Sequence, residues 1–449
     1  MVEHCAYLFM DHNSSKNKFG LWMLIALVVG NTIGAGIFML PVSLAKIGSI
    51  SLLSWVFTSI GALLFAFVFA KMSSLVKTSG GPYAYARSGF GDFTGFQIGF
   101  TFWICSWTGN CSLVVTLVSY LRIFYPELIS PVVAILFEIL IIWLIAIVNI
   151  LGVRTVGVVQ IITTIIKLLP IILVMIIGAH FFHPEYISHS FNISGKSNLG
   201  AFSYAAMLTL WAFSGQETAC IPASSVDDPN NIRRATIIGT IFLVLIYIFS
   251  TLLLMGMFPP QILSHLSSPF ASAAGMVMGG WGHLFVVVCV VISCLGALNS
   301  GIMVEGQIPM AIAEDGLFPK IFAKRNRFNV PGFGLAIDAA IMSLFILLTS
   351  KADLVEQFQL VITIASVALL ISYLYSAMAE VVLIAKARKC GENKDFDKMN
   401  ITIAIAAAIY ACWAIFGSGK EIIFYMTMMI FGSMFLYGFL CLYKAKIVK

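Results

Sequence analysis

The sequence predicts an all-α polytopic membrane protein with twelve transmembrane helices, arranged as a 5+5 inverted repeat whose helices 1 and 6 are broken. Three observations lead to this class: the composition, the pattern of apolar runs with their flanking charges, and interruptions in two of the runs. Hydrophobic residues make up 60% of the 449-residue chain, and charged residues only 10%. A soluble globular protein needs more polar surface than this composition supplies.

Twelve apolar runs are long enough to cross a bilayer, since a transmembrane helix needs about 20 mainly apolar residues. The predicted spans are 19–45, 49–76, 91–122, 130–150, 155–180, 199–222, 235–258, 271–310, 332–349, 355–386, 400–417 and 421–443. With a cytoplasmic N-terminus, 20 of the 26 Lys and Arg residues fall in inside segments and 5 in outside segments. Because basic residues collect on the cytoplasmic side, this split predicts that both termini are cytoplasmic.

The first interruption is the segment Gly30–Phe38, in the middle of the first span. Its glycines at 30, 34 and 36 weaken a regular helix and leave backbone N–H and C=O groups free at mid-membrane depth. Hydrocarbon tolerates such groups only where they face protein or a polar cavity, so this segment predicts a binding site. The alternative is that the small residues simply let a neighbouring helix pack closely.

The second interruption is the segment Leu210–Ala219 in the sixth span, where Ser214, Gly215 and Glu217 break an apolar helix. It lies five spans after the first interruption. Two interrupted spans at corresponding places in successive five-span units indicate an inverted-repeat transporter with its substrate site between the breaks. The free N–H groups of one half-helix suit a carboxylate and the unwound carbonyls suit an ammonium, so a substrate with both charges is predicted.

The sequence offers little for other classes of protein. It contains no His-Glu-x-x-His, Gly-x-Ser-x-Gly or phosphate-loop motif, so no enzymatic activity, catalytic residue, cofactor or metal is expected. The nine cysteines form no Cys-x-x-Cys pair and are interpreted as small apolar packing residues. Residues 1–18 are interpreted as a cytoplasmic segment ahead of a first span that acts as signal anchor.

Four segments together resemble the amino acid, polyamine and organocation transporter superfamily, and most closely its basic amino acid and polyamine antiporters, the group of the arginine:agmatine antiporter. The segments are Gly30–Phe38, Gly80–Arg87, Trp211–Glu217 with Asp228, Pro229 and Arg233, and Glu314–Pro319. The resemblance implies a core at 19–386, with repeats at about 19–180 and 199–386. Helices 11 and 12 and a cytoplasmic C-terminus then occupy 400–449. It also implies exchange of an external, basic amino acid for an internal amine or amino acid by alternating access.

The resemblance also implies which residues bind substrate. The α-carboxylate is expected at the first break and the α-amine at carbonyls of both breaks; the residues are Thr32, Ala35 and Gly36 for the carboxylate and Ile33, Trp211 and Ser214 for the amine. Trp211 matches the family's stacking aromatic, Asn110 a side-chain-binding Asn, and Glu217 a proton-sensing carboxylate. A carboxyl that is merely fixed by hydrogen bonds is the alternative for Glu217.

Three positions depart from the arginine:agmatine antiporter. Gly301 stands in place of a distal Trp and Phe102 in place of a Tyr, which disfavours arginine and favours another cationic amino acid such as ornithine or lysine. Lys167 replaces a small apolar residue and resembles the lysine of proton-coupled members, where an ammonium stands in for a sodium ion. With only apolar neighbours in its own segment, Lys167 is expected to bond to carbonyls near Val29–Ile33. The alternative is a structural ammonium that never titrates.

Three further acids lie in or near the predicted spans. Glu138 and Asp338 are interpreted as interior hydrogen-bonding residues, and no role is predicted for Glu305. Two alternative functions remain open, a proton-coupled amino acid symporter that uses Lys167 and a transporter-like amino acid sensor. The expected partners are a small amino acid or amine, membrane lipid and, in a homodimer, a second copy of the chain. Nucleic acid is not expected, and the expected location is the cell inner membrane.

Overall fold

The computed structural model describes residues 21–76, 80–122, 124–125, 127, 130–152, 156–217, 229–350, 353–389 and 397–447. Within these residues the regular secondary structure is helical, with turns and loops between the helices, as predicted. In chain order the helices are α1 (Leu21–Thr32), α2 (Ala35–Ala45), α3 (Ile50–Leu75), α4 (Pro82–Phe90), α5 (Asp92–Leu121), α6 (Pro131–Ile150), α7 (Val156–His180), α8 (Pro184–Ser188), α9 (Asn198–Trp211), α10 (Pro229–Met257), α11 (Pro260–Leu263), α12 (Pro269–Glu314), α13 (Gly332–Thr349), α14 (Leu354–Lys389), α15 (Asp397–Gly417) and α16 (Lys420–Ile447), with a short 3₁₀ helix at Lys320–Ala323.

The first predicted span is divided at the expected place. Helices α1 and α2 are separated by Ile33 and Gly34 and are bent by 44° relative to each other. In the sixth predicted span, α9 ends at Trp211 and short turns follow to Glu217. The remainder of that span lies outside the described residues. So do Asp228, which follows the sixth span in the motif that resembles the superfamily, and the segment 1–18.

The membrane character of the chain is confirmed. Ten described helices are long and apolar enough to cross a membrane, and the bent pair of α1 and α2 supplies an eleventh. The half-span α9 occupies the place of the predicted sixth. The eighth span is longer than predicted, because α12 extends to Glu314 and contains a bend at Gly279, where φ is 62°.

The packing of the helices repeats with an offset of five spans. Helix α7 packs on α12 as α14 packs on α5, and α1 packs on α10 as α9 packs on α3. The contact of α7 with α10 likewise corresponds to that of α14 with α3. Since successive spans alternate in direction, an offset of five spans reverses the direction of each pair, which is the pattern of an inverted repeat. The repeat bounds 19–180 and 199–386 stay a prediction.

Helix α5 is the centre of the bundle. In its most apolar segment 83% of the residues are buried, and it contacts α4, α12 and α14. By contrast, the corresponding segment of α16 is only 17% buried, as expected for a peripheral helix. A hydrogen bond of 2.6 Å from Ser433 Oγ to Gln97 Oε1 connects α16 to α5.

Candidate functional site

The first break is held by side chains of two other helices. The ammonium of Lys167, on α7, donates hydrogen bonds of 2.8 Å to the carbonyl oxygens of Gly30 and Ile33. The phenol of Tyr247, on α10, donates to the Thr32 carbonyl at 3.1 Å. These contacts satisfy carbonyls that lack a partner in α1. The Lys167 contact is the one that the sequence analysis expects, and the Lys167 side chain is fully buried.

The beginning of α2 offers free backbone donors. Its N-cap residue Gly34 makes no capping hydrogen bond with a side chain, so the N–H groups of Ala35 and Gly36 are available at the positive end of the helix dipole. Beside them, the buried hydroxyl oxygen of Thr32 has no hydrogen-bond partner in the described structure. Gly36 lies against Ala212, since a Cβ on Gly36 would be 3.4 Å from the Ala212 Cα. These groups together suit a carboxylate.

The second break is held by α14. The backbone N–H of Gly215 donates to Glu217 Oε2 at 3.1 Å, and the Tyr373 phenol donates to the same oxygen at 2.5 Å. Gly215 has a φ of 99°, a conformation that favours glycine. A Cβ at Gly215 would also be 3.1 Å from the backbone oxygen of Asn31. The two breaks therefore lie next to each other, and Glu217 is fixed between its own turn and Tyr373.

The two breaks receive equivalent support. Lys167 comes from the fifth span and bonds to the first break, while Tyr373 comes from the tenth span and bonds to the second. Each break is thus attached to the last helix of its own predicted repeat.

Trp211 lies across Gly109 of α5. A Cβ at Gly109 would be 2.7 Å from Cη2 of the Trp211 ring, so the close approach of the ring requires glycine. The Trp211 carbonyl accepts a hydrogen bond of 3.0 Å from the Ser214 N–H. Because a carbonyl oxygen has two lone pairs, those of Trp211 and Ile33 retain one acceptor position each.

Asn110 follows Gly109 and faces α12. Its Nδ2 donates a 2.6 Å hydrogen bond to Glu305 Oε2, and its Oδ1 lies directly against Gly301, where a Cβ has no room. No role is predicted for Glu305 from the sequence. The sequence nevertheless contained a signal of a functional residue, because Glu305 is a carboxylate one helical turn after Gly301 within an apolar span.

The remaining predicted residues have packing or structural positions. Phe102 is half-buried against the core, two turns before Asn110. Trp103 donates from Nε1 to Asp338 Oδ1 at 2.9 Å. Glu138 Oε2 accepts a longer bond of 3.5 Å from Gln357 Nε2. The interpretation of Glu138 and Asp338 as interior hydrogen-bonding residues is confirmed.

Two interrupted membrane helices that contact each other, with a buried lysine and a buried glutamate bonded to them, define a secondary transporter. A family model described as amino acid permease matches residues 19–440. The chain belongs to the amino acid permease family.

Individual relatives agree with this assignment. The chain is 35% identical over 338 residues to a cadaverine/lysine antiporter of Escherichia coli (strain K12), covering 75% of this chain and 76% of the relative. It is 30% identical over 438 residues to the putrescine transporter PotE of Haemophilus influenzae, covering 97% and 100% of the two chains. The predictions of a transporter rather than an enzyme, and of the amino acid and polyamine antiporter group, are confirmed.

Proposed function

We propose that the protein exchanges an external basic amino acid for an internal diamine or amino acid by alternating access around the two helix breaks. The observation that carries the proposal is the contact between the two breaks, which brings free N–H groups and free carbonyl positions to one place. The names of the relatives, which mention lysine, cadaverine and putrescine, support a cationic substrate pair.

In this proposal the α-carboxylate binds the N–H groups of Ala35 and Gly36 and the hydroxyl of Thr32. The α-amine binds the carbonyls of Ile33, Trp211 and Ser214. The Trp211 ring covers the substrate side chain, which then extends toward Asn110. Gly301 and Phe102 leave this distal region without the aromatic and the hydroxyl that favour a guanidinium, so lysine or ornithine fits better than arginine.

Lys167 and Glu217 couple the breaks to protons in the same proposal. The Lys167 ammonium supplies positive charge at the first break. It resembles the lysine of proton-coupled members of the superfamily, which takes the place of a sodium ion. Its two carbonyl bonds favour a second candidate function, a proton-coupled symporter. The protein is proposed to lie in the cell inner membrane with both termini cytoplasmic; the homodimer and specific lipid contacts remain predictions.

The test is transport in liposomes loaded with lysine, cadaverine or putrescine. We expect uptake of external labelled lysine only when one of these is present inside. Trp211→Ala should weaken substrate affinity by about thirtyfold, the factor for loss of a desolvated cation–π contact of about 2 kcal/mol. Trp281→Ala is the matched control, because Trp281 is 81% exposed and so does not lie in a buried site.

Three results would contradict the proposal. Uptake into empty liposomes driven by a proton gradient alone would establish the symporter. Binding without flux would establish a sensor. Unchanged affinity in Trp211→Ala would remove Trp211 from the site.

A further inference from the structure

We propose that Glu305, oriented by Asn110, is the site that binds the distal ammonium of the substrate and so selects dicationic substrates. This inference rests on the proposed function, since it concerns the far end of the same site. It makes Glu305 a specificity-determining residue for lysine-like amino acids and diamines.

Only one carboxyl oxygen of Glu305 has a hydrogen-bond partner among the described residues. The side chain is fully buried, and Oε2 accepts its 2.6 Å bond from Asn110. The other oxygen, Oε1, is buried without a hydrogen-bond partner in the described structure. A buried carboxylate with an unsatisfied oxygen is costly unless a cation or a proton reaches it.

A second buried acid lies near Glu305. Asp338, on α13, is also fully buried and is near enough to Glu305 for the two carboxyl groups to interact. Asp338 Oδ2 has no hydrogen-bond partner among the described residues either. The two acids therefore leave two buried carboxyl oxygens that need a proton or a cation.

Among the described residues, neither acid forms an ion pair with a basic side chain. Lys46 pairs with Asp353, Arg87 with Asp92 and Asp315, and Arg325 with Glu314. Lys167, the buried ammonium at the breaks, bonds to carbonyls of the first break instead. A substrate ammonium is the cation that a transporter of basic compounds brings to this position.

Glu305 is connected to the second break through two consecutive residues of α5. The Trp211 ring lies on Gly109, the next residue Asn110 bonds to Glu305, and Gly301 lies against Asn110. A substrate side chain covered by Trp211 is thus directed along α5 toward the carboxylate. Gly301 is essential to this arrangement, because any side chain there displaces the Asn110 amide that orients Glu305.

The experiment compares substrate selectivity in Glu305→Gln and wild-type liposomes. Lysine, cadaverine and norleucine compete for exchange of labelled lysine, norleucine being lysine without its distal ammonium. We expect Glu305→Gln to reduce the preference for lysine over norleucine at least about tenfold, as for loss of a charged hydrogen bond. Norleucine affinity should stay unchanged. Glu138→Gln, which neutralises a buried carboxylate bonded to Gln357, should keep the wild-type preference.

Two outcomes would overturn the inference. Equal losses for lysine and norleucine would make Glu305 a structural residue. An unchanged preference, with pH dependence of exchange abolished, would make Glu305 and Asp338 a proton site. If wild-type protein exchanges none of the amines or amino acids, the proposed function itself has failed, which is a different result.

A second variant covers the case in which Glu305→Gln does not fold. Glu305→Asp keeps the buried charge and withdraws the carboxylate by one methylene. We expect it to raise the preference for cadaverine over putrescine, because the longer diamine still reaches the shortened side chain. The same preference as wild type would contradict binding at Glu305.

Discussion

Lys167 links a buried charge to the backbone of a broken helix. A charged group within a membrane span costs about 2.5–3.5 kcal/mol on insertion scales, so it needs compensating partners. The carbonyls of Gly30 and Ile33 supply them. Close packing contributes as well, since a Cβ on Gly30 would be only 2.5 Å from Thr164 Oγ1, on the same helix as Lys167.

At the residue scale, we predict that two substitutions of Lys167 impair transport in different ways. Lys167→Ala should abolish net transport while leaving a folded protein, because the carbonyls of the first break lose their positive charge. Lys167→Arg should bind substrate without turnover, because a guanidinium keeps its proton at any usable pH. The measurements are substrate binding and exchange as a function of pH.

A matched control for Lys167 is Lys46→Ala, which removes a partly exposed lysine that pairs with Asp353 at 3.0 Å. It should transport nearly as wild type does, since such surface pairs contribute little. Normal transport by Lys167→Arg, with unaltered pH dependence, would reduce Lys167 to a structural cation.

At the scale of elements, the short helix α4 is tied to the end of α12. The Arg87 guanidinium bonds to Asp92 Oδ1 and to Asp315 Oδ2, both at 2.7 Å. The Tyr83 phenol donates to Asp315 Oδ2, also at 2.7 Å. Burial, together with the hydrogen bond to Asp315, raises the pKa of Tyr83, so the phenol keeps its proton at physiological pH. This cluster links α4 to the end of α12, on the side predicted to be cytoplasmic.

We predict that Asp315→Asn loosens α4. Losing about 1 kcal/mol of partly exposed ion pairing raises the equilibrium constant for local opening of α4 about fivefold. Hydrogen–deuterium exchange of residues 82–90 in nanodiscs measures it. Glu314→Gln breaks the adjacent pair with Arg325 and should leave α4 unchanged. Equal protection of α4 in wild type and Asp315→Asn would show that packing against α5 and α14, rather than the charges, holds it.

At the scale of the whole molecule, the distribution of basic residues predicts which ends of the helices face the cytoplasm. Lys196 precedes α9 on the predicted outside, and Lys324 follows α12 on the predicted inside; both are exposed. In intact cells, a membrane-impermeant maleimide should label Lys196→Cys but not Lys324→Cys. Permeabilised cells should label both, with wild-type protein measuring the background of native cysteines. The reverse pattern would invert the topology.

The sequence by itself determined the class, the spans and the places where two spans break. These features are local: hydropathy over about 20 residues defines a span, and glycine or serine within it marks a break. The bonding partner of Lys167 was also predictable from its own segment, because an ammonium among apolar neighbours has only the unwound backbone of a broken helix to bond to.

Only the tertiary structure decided which distant side chains complete the site. Tyr373 and Glu217 are 156 residues apart, and Asn110 and Glu305 are 195 apart. In the sequence, Glu305 is an isolated intramembrane acid and Gly301 is only a position that lacks an aromatic. The packing of α5 on α12 shows that Asn110 bonds to Glu305 and lies directly against Gly301. Packing decides such contacts, because residue types specify what a group bonds to, whereas the crossing of helices specifies which groups come within reach.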